Sequence, residues 1–206
     1  QYVGGRAGPA DSALPPIQLG WVNMQGGQLT YPAATEGAQA AVTYINAELG
    51  GIGGRPLALR TCFIAQAEEE GQRCGQQLLN DQAVSVIAYG AVAVGSEALT
   101  SVLDGRKPVV VGVSSAPSDS TAKNVYLLNG DQEHLLAGWG TYARDGLKAK
   151  TAALVYPSQA GANSAASAVR KGLEDAGITV KSVGFEAQAT DLLGPLTAAG
   201  AQNADV

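Results

Sequence analysis

Hydrophobic and polar positions fall in blocks along this chain, and the period changes from block to block. Short apolar runs at Ile17–Val22, Leu57–Phe63, Val84–Tyr89, Pro108–Val113 and Val125–Leu128 have the length of strands. The near-continuous apolar character of Val84–Tyr89 and Pro108–Val113 fits parallel strands covered on both faces. Between them the spacing turns helical. Over Thr35–Leu49, Ala38, Val42, Ile45 and Leu49 share a face, Glu36 suits a helix start, and Gly50-Gly51 stops it. Glu68, Glu69 and Glu70 sit where a helix N-terminus favours negative charge and read as a solvated first turn. In the helix that follows, Gly71, Cys74, Gly75 and Leu78 lie on one side and predict close packing on a sheet. Gly95–Leu103 predicts a short helix and Ser114–Lys123 a loop.

Asn129-Gly130-Asp131 marks a boundary. Asp131 is placed to cap a helix on which Leu135, Trp139 and Tyr142 recur at i, i+4 and i+7. Strand Ala152–Tyr156, helix Ser164–Ala176 ended by Gly177, strand Val180–Phe185 and a weaker helix over Leu192–Ala201, starting near Pro195, continue the alternation. Asp205-Val206 reads as the start of another strand. Alternation throughout predicts an α/β fold with parallel sheets flanked by helices and right-handed crossovers. The expected domains are a flexible Gly/Pro-rich arm over 1–16, an α/β lobe over 17–128, a crossover at 129–131 and a partial second lobe over 132–206.

Composition narrows the class. With 46% hydrophobic and 15% charged residues among 206, the chain has the material for a packed core. The net charge is −5 and no basic stripe appears, which argues against a nucleic-acid partner. No apolar run approaches the roughly 18–20 residues that span a bilayer. The arm lacks the charged start and apolar centre of a signal peptide.

Anchors for catalysis are missing. His134, the sole histidine, falls in the first turn of a helix and reads as a surface residue. Cys62 and Cys74 alone cannot fill a tetrahedral zinc site. Gly112-Val113-Ser114-Ser115-Ala116 lacks the closing Gly of a nucleophile elbow. Gly50-Gly51-Ile52-Gly53-Gly54 follows a helix rather than a strand, so it is a turn and not a dinucleotide fingerprint. No enzyme activity and no cofactor are expected. Ligands of open α/β sheets bind at the carboxyl ends of the strands, which puts the polar, Gly-rich stretch Met24–Tyr31 forward as a site. Aromatics near strand ends, here Trp21, Tyr31 and Tyr89, serve either core or ligand. Cys62 and Cys74 read either as a disulfide, stabilising by roughly 2–3 kcal/mol, or as two buried thiols.

Several pieces in order resemble one family. They are Ile17–Gly20 with Gly26, then Gly37-Ala38, Ala41-Val42, Ile45-Asn46 and Gly50-Gly51-Ile52-Gly53-Gly54-Arg55. Leu78-Leu79-Asn80-Asp81, Lys107-Pro108-Val109 and Thr190-Asp191 continue the series. Together they resemble the type I periplasmic binding proteins, in the branched-chain amino-acid branch of ABC importers. The resemblance implies two α/β lobes joined by hinge crossovers and closing on a small solute, an ABC permease as membrane partner, and an extracytoplasmic location, with or without a lipid anchor before processing. A ligand-sensing regulatory domain of the same fold is the alternative, and an enzyme on such a sheet a more distant one. It also implies that the second lobe continues well beyond Val206, and it adds weight to a Cys62–Cys74 disulfide.

The resemblance also places the ligand-binding residues. They are Met24, Gln25, Gly26 and Tyr31 after the first strand, Gly90, Val92 and Ala93 after the third, and Val113, Ser114 and Ser115 after the fourth. Tyr31 matches an aromatic of the apolar pocket. Ser114 and Ser115 match a loop gripping a carboxylate through N–H and hydroxyl donors, charge-assisted bonds about twice as strong as neutral ones. Where the family carries paired hydroxyl residues after Gly90, this chain has Ala91, Val92, Ala93 and Val94, leaving only backbone donors there. Pro157 and Gly161-Ala162 replace the usual aspartate and tyrosine-glycine in the second lobe. The expected ligand is therefore a small organic solute: an amino acid, a less polar carboxylate or another such solute.

Overall fold

Parallel strands β1 (Ile17–Met24), β2 (Leu57–Ile64), β3 (Val84–Tyr89), β4 (Val109–Val111) and β5 (Val125–Leu127) pair in the order β2-β1-β3-β4-β5. This is a computed structural model, and it describes residues 7–206. The connections are helices α1 (Pro32–Glu48), α2 (Glu68–Asn80), α3 (Ser96–Leu103) and the short α4 (Ser118–Thr121). Val22, Met24, Ile64, Ile87, Val109 and Val111 of the strands pack with Leu78 of α2 and Leu99 and Leu103 of α3 in one core. Each large aliphatic buried there contributes about 1.5–3 kcal/mol.

Boundaries shift where pairing or proline decides them. Asn23 and Met24 pair with Phe63 and Ile64, so β1 runs two residues past its apolar run. α1 begins at Pro32 rather than Thr35, because proline fits a first turn whose N–H is unpaired anyway. β4 stops at Val111, and α4 occupies part of the expected loop. The turn after α1 has positive φ at Gly50 and Gly51, and a Cβ on Gly51 would meet the Arg55 carbonyl oxygen at 2.0 Å.

The described part of the arm makes backbone bonds to the lobe: Gly8 and Ala10 N–H donate to the Glu48 and Asn46 carbonyls, and Asp11 N–H to that of Gly54. Residues 1–6 of the arm lie outside the described residues. The acidic run is not merely solvated. One Glu70 carboxylate oxygen accepts the N–H groups of Ala65, Gln66 and Ala67 at 2.9, 2.9 and 3.0 Å. The Gln66 and Ala67 bonds, and then that of Ala65, hold the Glu70 carboxyl below its ordinary value. Glu68 accepts the N–H of Gly95 at 3.0 Å. Gly71 lets α2 approach α3's N-terminus, since a Cβ there would lie 2.1 Å from the Gly95 carbonyl oxygen. Cys62 of β2 and Cys74 of α2 form a disulfide, with Cα atoms 5.6 Å apart.

The chain divides into two compact units, one running to Ser114 and including Ser118–Asn129, the other comprising Ser115–Pro117 and Gly130–Val206. The second holds α5 (Gln132–Thr141) continuing into a π-helical turn at Tyr142–Gly146, then β6 (Thr151–Pro157), α6 (Ala160–Asp175), β7 (Thr179–Phe185) and α7 (Leu193–Ala199). β6 and β7 are parallel. The terminal residues lie along β6 as well: Ala153 N–H donates to the Val206 carbonyl, and Asp205 N–H to that of Thr151. Asp131 caps α5 by accepting the His134 N–H at 2.9 Å. The stripe of Leu135, Trp139 and Tyr142 faces solvent, with Trp139 54% exposed. α5 packs instead through Gly140, where a Cβ would meet the Gly172 carbonyl oxygen of α6 at 1.9 Å.

Candidate functional site at the carboxyl edge of the first sheet

Strand order reverses between β1 and β3, each the start of a run in the opposite direction. Crevices that bind ligands open at the carboxyl ends of strands at such a switch point. The loops that line it are Gln25–Tyr31 after β1 and Gly90–Gly95 after β3. Asn23, fully buried near the end of β1, ties them together. Its Nδ2 donates to the Tyr31 carbonyl at 2.8 Å and to Thr35 Oγ1 at 3.0 Å, while its Oδ1 accepts the Ala91 N–H at 3.0 Å. A buried amide must be paired in this way or cost free energy.

Thr35, in the first turn of α1, completes the arrangement. Its hydroxyl accepts from Trp21 Nε1 and Asn23 Nδ2, both at 3.0 Å, and donates to Gln25 Oε1 at 3.2 Å. One donor and two acceptor positions are the whole capacity of a hydroxyl. Trp21 and Gln25 are thereby fixed to the helix, and Gly90 fits over the pair, since a Cβ there would come within 2.6 Å of Asn23 Oδ1 and 2.8 Å of Trp21 Cζ2. Tyr31 precedes Pro32, donates its N–H to the Met24 carbonyl, and is 40% exposed.

The fourth strand contributes differently. Gly112 lies beside the Tyr89 carbonyl, and Asn129 Nδ2 donates to the Gly112 carbonyl at 2.9 Å. Beyond it Val113 is 58% exposed, Ser114 is buried with no hydrogen-bond partner for its hydroxyl, and Ser115 is half-buried. Below, the Ser96 hydroxyl at the start of α3 donates to the buried Asp119 carboxylate. Burial pushes the Tyr89 phenol well above its ordinary value, the Asp119 charge adds to this, and the Ser96 hydroxyl offsets part of it. Tyr89 is therefore a core phenol.

Of the residues singled out from sequence, Gln25, Gly26, Tyr31, Gly90 and Ala93 come together around the switch point, and Val113, Ser114 and Ser115 follow the neighbouring strand. Met24 and Val92 differ. Both side chains belong to the core, because Met24 is still strand and Val92 turns inward, so only their backbone borders the loops. Sequence reasoning missed Asn23 and Thr35. The signal for Asn23 was a polar residue following the apolar end of β1, where Gln18 is the other polar position. Among the described residues no group of His, Cys, Asp and Glu is arranged to hold a metal ion.

The profile of the periplasmic binding protein family matches residues 16–206. No curated protein sequence matches the chain significantly. Solved structures share the fold. The leucine binding protein LivK of Thermotoga maritima superposes with a TM-score of 0.77 at 19% identity, over 91% of this chain and 54% of its own. A solute binding protein of an ABC transporter from R. palustris, in complex with benzoate, gives 0.77 at 15% identity, over 92% and 54%. The branched-chain amino-acid substrate binding protein LivJ of Streptococcus pneumoniae, in complex with isoleucine, gives 0.73 at 21% identity, over 89% and 53%. The chain thus spans about half the length of these structures. With the profile running from the residue before β1 to the last residue, the chain belongs to the periplasmic binding protein family and has its type I α/β fold.

Proposed function

We propose that this protein is the extracytoplasmic solute-binding component of an ABC importer, that it binds a small organic carboxylate, and that it delivers this solute to a membrane permease without catalysing a reaction. The observation that carries the reading is the Asn23–Thr35 network, which holds the loops after β1 and β3 in one fixed geometry at the switch point. A preformed rim lowers the ordering cost of binding. Gln25, Gly26, Tyr31, Gly90 and Ala93 border the solute, and Val113 and Ser114 supply donors for its carboxylate. Family members close about a hinge on their solute, and the same closure is part of this proposal, because a ligand shifts a two-state equilibrium only by its differential affinity. The disulfide between Cys62 and Cys74 supports an oxidising compartment. No helix among the described residues is long and apolar enough to cross a membrane.

Thermal unfolding of the complete protein against a panel of amino acids, aliphatic acids, aromatic acids, nucleotides and sugars tests this. A true solute at a hundred times its Kd stabilises by about 2.7 kcal/mol and raises Tm by several degrees. A panel in which only nucleotides or sugars shift Tm would contradict the reading.

A further inference from the structure

Asn23 joins the loops after β1 and β3, and a second buried contact joins the loop after β3 to the loop after β4. Ser96 is the first residue of α3, directly behind the β3 loop, and Asp119 lies in α4, which begins where the β4 loop ends. Both are buried, Asp119 completely, and the Ser96 hydroxyl donates to the Asp119 carboxylate. A helix start is where a negative group is favoured. That start is itself fixed: Thr100 Oγ1 donates to the Ser96 and Glu97 carbonyls, both at 3.0 Å, and Gly95 N–H donates to Glu68 Oε2 at 3.0 Å. The β4 loop is therefore held at both ends. At its near end Leu128 N–H donates to the Val111 carbonyl at 3.0 Å and Asn129 Nδ2 to that of Gly112 at 2.9 Å. At its far end Asp119 ties α4 to α3. Val113 and Ser114 follow the near end, and the buried Ser114 hydroxyl has no partner within the protein. Burying a carboxylate costs free energy even when it is paired, and apolar replacement of such a contact is often neutral for stability. What this contact supplies is geometry, through a short, directional bond between residues 23 positions apart.

We infer that Asp119 is a positioning residue of the solute site, acting through Ser96 to hold the loops after β3 and β4 in one register and so to keep Val113 and Ser114 facing the solute. This rests on the solute-binding reading above and deepens it. Together with the Asn23 contact it makes one series of buried ties across three loops, β1 to β3 and β3 to β4. Asp119 is fully buried, so it acts without touching the solute.

Calorimetric titration of the complete protein with leucine, 4-methylpentanoate and 4-methylbenzoate tests the inference, together with hydrogen exchange read peptide by peptide. Asp119→Val and Ser96→Ala are each expected to weaken the tightest of the three acids by about tenfold. Each should also speed exchange over 111–114 by about tenfold, with exchange over 25–31 unchanged. The two losses should not add in the double variant, since either change breaks the same contact. Asp119→Asn keeps an acceptor for the Ser96 hydroxyl and should stay within about threefold of the parent. Asp119→Val fills the position without an acceptor, so a difference between the two separates the bond from packing. Ser96→Ala, the milder change, decides the matter where Asp119→Val does not fold. Parental affinity in Ser96→Ala, or Asp119→Asn binding no better than Asp119→Val, would overturn the inference and leave the solute-binding function standing. If the parent binds none of the three acids, the carboxylate-binding function falls, and the inference falls with it.

Discussion

Replacing Asn23 with leucine is the perturbation that bears hardest on the site. The two side chains share the same branched shape, so the change removes polarity while keeping the position filled. Three hydrogen bonds disappear, to the Tyr31 carbonyl, to Thr35 Oγ1 and from the Ala91 N–H. At a net of about 1 kcal/mol each, they account for about 3 kcal/mol, and stranding the Ala91 N–H in a buried place adds about 1 kcal/mol more. For a chain of 206 residues a loss of about 4 kcal/mol lowers Tm by roughly 8–16 °C. Urea unfolding followed by tryptophan fluorescence reads the effect directly, because Trp21 Nε1 donates to the same Thr35 hydroxyl. A Trp139→Phe background removes the exposed second indole. The loss should be strongly non-additive with that of Thr35→Val, since both residues belong to one network. Destabilisation below about 1 kcal/mol, or simple additivity of the two changes, would refute the claim that Asn23 locks the loops.

Other consequences are as concrete. Glu70 has a lowered pKa in the folded protein, so its stabilisation is present above the unfolded value and lost as pH falls through the folded one. Urea midpoints measured downward from the ordinary value of 4.5 should therefore fall less steeply in Glu70→Gln than in the parent; equal slopes would contradict the three-bond cap. Removing the disulfide by Cys62→Ala with Cys74→Ala should cost about 3 kcal/mol, from the short loop it closes. Two reactive thiols in unfolded, unreduced protein would contradict the bond itself. Gly71→Ala should destabilise by roughly 1–3 kcal/mol, since its Cβ has a carbonyl oxygen in the way. Gly37→Ala, in α1 with nothing within 4 Å of the new Cβ, should stabilise by about 0.5–1 kcal/mol. Equal signs for the two would show that close approach is not what separates them.

The parallel sheet was legible because strands covered on both faces must be continuously apolar, and Val84–Tyr89 ends where its run ends. β1 was read short because Asn23 breaks the apolar pattern, although the backbone goes on pairing through Met24. The same residue hid the core of the site. Its partner Ala91 is 68 positions away, and no local period records such a bond. On α5 the spacing of Leu135, Trp139 and Tyr142 established a shared face but not its direction. The direction was set by Gly140 and Gly172, which let two backbones meet where larger residues would hold them apart. The candidate site's general position followed from topology, whereas the Asn23–Thr35 network depended on distances that only the folded chain supplies.

The central claim is that this chain binds a small organic acid. Native mass spectrometry of the freshly purified complete protein tests it most directly, with the adduct identified after denaturation. The account expects a single retained acid of low mass, exchangeable for 4-methylpentanoate or 4-methylbenzoate. A retained nucleotide or sugar, or an unliganded protein that takes up no carboxylate at millimolar concentration, would contradict it.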